Sequence, residues 1–146
     1  MKTSSAPEWS RWVLAGLAVP QLVTGTWAVV NPEHWYRSFP GFGPMLVAAE
    51  PPFNEHLASD AGSGFLATGV IALLAALWGE RLIVAIAAAG LLAFAIPHFV
   101  FHAGHPAESL SDTVNWVNFF VLLAAVLVPL AIVFVNARVT TEGETE

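Results

Sequence analysis

Four stretches of the chain contain no Asp, Glu, Lys or Arg: Trp12–Val30, Ala61–Trp78, Leu82–Phe101 and Val114–Val135, of 19, 18, 20 and 22 residues. An α-helix rises 1.5 Å per residue, so about 20 apolar residues cross a hydrocarbon layer of roughly 30 Å. A lone segment enters that layer only as a helix, because each backbone N–H and C=O must find its partner within the segment. The prediction is an all-α fold: a four-transmembrane-helix bundle forming a single integral membrane domain over residues 1–146. The second run is the shortest, and its helix is expected to begin a turn or so earlier.

Composition closes the other routes. Charged residues make up 11% of the chain and hydrophobic ones 56%, whereas a soluble domain carries about 25% charge. That hydrophobicity also excludes disorder. Five Lys and Arg against eleven Asp and Glu leave a net charge of -6, with no basic patch to neutralise the phosphates of a nucleic acid. With no Cys, disulfides, thiolate metal sites and thiol redox chemistry are all excluded. No phosphate loop, G-x-S-x-G elbow or H-E-x-x-H motif is present.

Lys and Arg set the expected orientation. Lys2 and Arg11 precede the first span, Arg81 sits in the turn Gly79-Glu80-Arg81, and Arg138 follows the last span, against Arg37 alone on the other side. The excess of positive charge predicts both termini in the cytoplasm of a multi-pass cell-membrane protein. Trp9, Trp12 and Trp78 then fall at cytoplasmic ends and Trp27, Trp35 and Trp116 near outer ends, as interfacial Trp should. The first span is too long for a signal-peptide core and lacks a small-residue cleavage site, so it is read as retained. The tail 139–146 is acidic and expected to fray.

The outer loop, residues 31–60, holds five prolines and many apolar side chains, among them Trp35, Phe39, Phe42 and Phe53. A loop of that length and composition is expected to fold over the bundle as a cap. Small residues crowd the second span (Gly62, Gly64, Ala67, Gly69) and the third (Ala85, Ala87, Ala88, Ala89, Gly90). They predict a tight hairpin between those two helices. The first span carries a polar stripe, Gln21, Thr24 and Thr26, just beyond Pro20.

All five histidines, His34, His56, His98, His102 and His105, fall on the outer side under this topology. His98 and His102 stand four apart on one helix face, a spacing that suits two imidazoles on one ion. His56 and Asp60 make a second such pair, and a tight hairpin would bring the two pairs together. The expected metal set is therefore His56, Asp60, His98, His102 and His105, holding one transition metal ion: iron, zinc or copper. Asp112, Asn115 and Asn118 run down one side of the last span as donors that would support the bound cofactor. The same residues also suit a metal-free polar pocket, or plain use at helix ends.

The segments "NPEHWYRSFPGFG" and "PPFNEHLASDAG", leading into an alanine-rich helix pair, resemble the DoxX-like small four-helix bacterial membrane proteins, particularly actinobacterial members of unassigned function. The resemblance spans most of residues 12–135 and is specific at Phe39-Pro40-Gly41, Pro52 to His56 and Asp60-Ala61-Gly62. It implies a four-helix bundle and, for some members, a link to quinone or thiol redox systems. Without Cys, the thiol role does not carry over.

The leading expectation is a His/Asp site at the outer ends of the second and third spans that binds or acts on a lipid-soluble small molecule. Two rivals stand beside it: a non-catalytic accessory subunit of a membrane complex, with Phe39, Phe42 and Phe53 as contact residues, and an oligomeric proton or ion pathway. Expected partners are membrane lipids, a lipid-soluble ligand, and further copies or a larger complex.

Overall fold

The computed structural model describes residues 4–142. These form α1 (Glu8–Val30), α2 (Pro32–Ser38), α3 (Glu55–Trp78), α4 (Arg81–Gly104) and α5 (Asp112–Glu142). Four of them, α1, α3, α4 and α5, are long and apolar enough to cross a membrane. Large apolar side chains such as Val23, Ile71, Leu74, Ile86, Val100 and Val121 stand exposed around the outside, the surface that lipid would cover. One end of the bundle carries the start of α1, the α3–α4 turn and the end of α5. We call it the terminal end, and the opposite one the loop end.

Helix boundaries depart from the charge-free runs at both ends. The segment 31–60 is not one loop: α2 opens it and α3 begins at Glu55. Asn31 accepts a hydrogen bond from the His34 amide, Pro32 takes the first helical position, and Arg37 pairs with Glu33 at 2.9 Å. Asn54 caps α3 by accepting from the Leu57 amide. Charge ends the hydrocarbon layer, not the helix, so capped turns continue into the interface. At the other extreme α5 runs to Glu142, so the expected tail 139–146 starts inside the helix. Lys2 and residues 143–146 lie outside the described residues.

The closest packing joins α1 to α3, and α4 pairs with α5. A Cβ on Gly25 would lie 2.5 Å from the Leu66 amide nitrogen and 2.8 Å from the Gly62 carbonyl oxygen. One on Gly62 would lie 2.8 Å from the Ala28 Cβ. The two backbones touch there, which only glycine permits. This corrects the hairpin expectation in part: Gly62 and Gly69 of α3 face α1, not α4, while Ala87 and Ala88 of α4 do pack in one core with Ala72, Ala75 and Ala76 of α3. Gly64 and Gly90 would meet no atom within 4 Å. The Thr68 hydroxyl, 3.4 Å from Gln21 Oε1, adds a polar tie across the same seam.

The two pairs are joined mainly at the terminal end. Leu14, Ala18, Ala72, Ala75, Ala76, Val84, Ala87, Ala88, Leu91 and Ile132 form the main core there. Residues 4–6 lie across the α3–α4 turn: Ala6 donates to the Gly79 carbonyl at 2.8 Å, and the Arg81 amide donates to the Ser4 carbonyl at 3.1 Å. Arg81 Nε adds a bond to the Ser5 carbonyl at 3.0 Å. Gly79 ends α3 with a φ of 77°, the left-handed region. Toward the loop end α5 stands apart: up to Ala137 its buried residues are Pro129, Ile132 and Asn136, with none between Asp112 and Val128. There a second cluster of Ala28, Trp35 and Ala58, flanked by Tyr36, Phe39 and Phe53, closes the α1–α3 pair.

Gly25→Ala and Gly62→Ala should each lower the thermal midpoint in detergent, at a cost of about 1–3 kcal/mol for forced separation of the helices. Gly64→Ala should leave the midpoint unchanged or raise it, gaining up to about 1 kcal/mol of helix propensity. Equal effects at all three positions would contradict the α1–α3 seam.

Candidate functional site

Helix α4 presents one continuous stripe to the interior. Its buried residues Val84, Ala88, Leu91 and Ala95 recur at steps of four, three and four residues, and the next steps, of three and four, reach His98 and His102. Both imidazoles therefore occupy core positions, at a level where the residues of α5 are at most half-buried, and both are half-buried themselves. They continue an aromatic column. Phe65 of α3 meets Phe94 edge-on at 4.8 Å between centroids, and His98 stacks on Phe94 at 5.2 Å. His102 then stands edge-on to His98 at 4.8 Å. Phe99 packs on Phe119 of α5 at 5.2 Å, which sets the half-buried Asn118 at the depth of His98.

The remaining histidines are accounted for elsewhere. His34 Nδ1 accepts from Trp27 Nε1 at 2.8 Å. His56 Nε2 pairs with Asp60 Oδ2 at 3.3 Å, both side chains largely exposed at 83% and 64%. His105 Nδ1 donates to the Phe101 carbonyl at 2.9 Å, closing the last turn of α4. Among the described residues the imidazoles of His98 and His102 make no hydrogen bond.

The five-residue metal set does not come together. Among the described residues no group of three or more His, Cys, Asp or Glu is placed to hold a metal ion. The reason lies in the α1–α3 seam. Asp60 stands two residues before Gly62, about 200° around the helix, so seating Gly62 on α1 turns His56 and Asp60 away from the bundle. His98 and His102 face inward on another helix. Two imidazoles alone fall short of the three or four protein ligands of a zinc site, so no step through a metal is derived. Of the proposed supporting residues, Asp112 is exposed and Asn115 donates from Nδ2 to the Ala107 carbonyl at 3.1 Å, holding the 105–111 connection. Asn118 alone of the three shares the depth of the histidine pair.

Of the apolar loop residues expected to contact a partner, Phe39 packs against Trp35 and Phe53 against Tyr36, both partly buried. Phe42 is the exposed one, at 77%. The sequence reading passed over Asn136, which is buried on α5 and donates to the Ile132 carbonyl at 2.9 Å. Its position one turn beyond Ile132 was the available signal.

No family model, curated protein or solved structure matches the chain. None of these comparisons identifies a DoxX-like family.

In detergent, diethyl pyrocarbonate should modify His56 several-fold faster than His98 or His102, read by peptide mass mapping. Equal rates would place the α4 pair outside the bundle and contradict the site.

Proposed function

We infer that this is a multi-pass membrane protein whose inward-facing His98 and His102 bind the polar head of a lipid-soluble small molecule entering from the bilayer between the two helix pairs. The observation that carries the reading is the pair's position. Two core-register imidazoles stand half-buried with no side-chain hydrogen bond among the described residues, beside a stretch of α5 whose residues are at most half-buried. Such polar groups gain from a ligand that supplies the missing bonds. The aromatic wall of Phe65 and Phe94 suits a flat or unsaturated body, and Asn118 supplies a further donor and acceptor at the same depth. Arg11, Arg81 and Arg138 at the terminal end, against Arg37 at the loop end, favour a cytoplasmic terminal end. The ligand would then enter from the outer leaflet.

The accessory-subunit reading has less support, since Phe39 and Phe53 are engaged within the chain.

The test compares organic extracts of purified wild type and of the His98→Ala/His102→Ala double variant by mass spectrometry. A near-stoichiometric non-phospholipid compound in the wild type, depleted in a folded double variant, supports the reading. Identical extracts overturn it. His56→Ala and Asp60→Asn should retain the compound at the wild-type level.

A further inference from the structure

A groove of about 200 Å³ lies at the terminal end of the α1–α3 pair, far from the histidine stripe. It is lined by Glu8, Arg11, Trp12 and Ala15 of α1 and by Ala76 and Leu77 of α3. Arg11 donates from Nε to the Ala76 carbonyl at 3.0 Å and from Nη2 to the Leu77 carbonyl at 3.2 Å. These bonds fix the guanidinium on the last carbonyls of α3, which have no partner within their own helix. Nη1 remains uncommitted, and Arg11 forms no ion pair among the described residues. Glu8, exposed and likewise unpaired, stands three residues before Arg11, about 4.5 Å further along the axis away from the apolar span. Trp9, Trp12 and Trp78 are exposed at this level, as side chains are at a membrane–water boundary.

Passing outward from the apolar span, the groove offers an apolar wall of Ala15, Trp12 and Leu77, then a fixed cation, then an anion. A phospholipid with a primary amine presents the complementary series in the same direction: acyl chain, phosphate, ammonium. We propose that this groove binds a phosphatidylethanolamine-type lipid, with its phosphate on Arg11 Nη1 and its ammonium on Glu8. Phosphatidylglycerol offers Glu8 no cation. Phosphatidylcholine offers one that cannot donate a hydrogen bond. The proposal uses neither His98 nor His102 and does not depend on which side of the membrane the termini occupy.

The protein is reconstituted into vesicles of equal phosphatidylethanolamine, phosphatidylglycerol and phosphatidylcholine, extracted, and its retained lipids counted by native mass spectrometry. The wild type should retain phosphatidylethanolamine over each competitor by roughly two- to fivefold, the scale of an exposed charge pair. Glu8→Gln, a substitution at an exposed side chain, should abolish that preference and raise phosphatidylglycerol retention. Glu33→Gln at the loop end should change nothing. Equal retention of the three lipids by the wild type, or an unchanged preference in Glu8→Gln, overturns the proposal.

Discussion

At Gly25 and Gly62 two helix backbones run in direct contact, and that contact decides which residues of the chain meet. Water supplies no drive for helix association inside a bilayer, because lipid tails are as apolar as Leu. Close packing supplies it instead. The glycines of α1 and α3 let the two helices approach until amide and carbonyl groups of one touch the other. Once α3 has spent its small face on α1, its opposite face is committed to lipid. His56 and Asp60 go with it. Helix α4 then meets α3 through Ala72, Ala75 and Ala76 at the terminal end and through Phe94 against Phe65 further along, and takes α5 as its closest neighbour.

The number, type and approximate limits of the long helices were legible in the sequence, since runs such as Leu82–Phe101 leave the backbone no other stable form in lipid. Their ends were less so. Asn31-Pro32 and Asn54 are ordinary capping signals, but a boundary drawn at the last charge overlooks helical turns that continue into the interface. The pairing of helices was not legible. Spacing within a helix shows which residues share a face, and no local rule shows which neighbour that face will choose. His98 and His102 were found as a pair for their four-residue spacing. Their inward direction was also available, in the seven-residue register they share with Leu91 and Ala95.

Buried polar groups are concentrated where the helices can satisfy them or where something else must. Thr68 and Gln21 serve the α1–α3 seam, and Asn115 anchors the 105–111 connection. Arg11 caps the end of α3. Each such bond removes a cost that hydrocarbon would otherwise impose on an unpaired group. Among the described residues Trp35 Nε1, Arg81 Nη1 and Asn136 Oδ1 are buried without a partner, and the half-buried histidine pair of α4 holds core positions with no side-chain hydrogen bond. Departures of that kind mark places where sequence can serve something other than stability.

Residues 4–6 stitch the beginning of the described chain to the α3–α4 turn through backbone bonds and Arg81. The main core sits directly against that stitch, while toward the loop end no residue of α5 is more than half-buried along four turns and more. The two helix pairs are therefore fastened like a clothes-peg at its spring. Any relative motion between them would pivot at the terminal end and grow with distance from it, so the level of His98 and His102 is where the pairs are free to part while the main core stays closed.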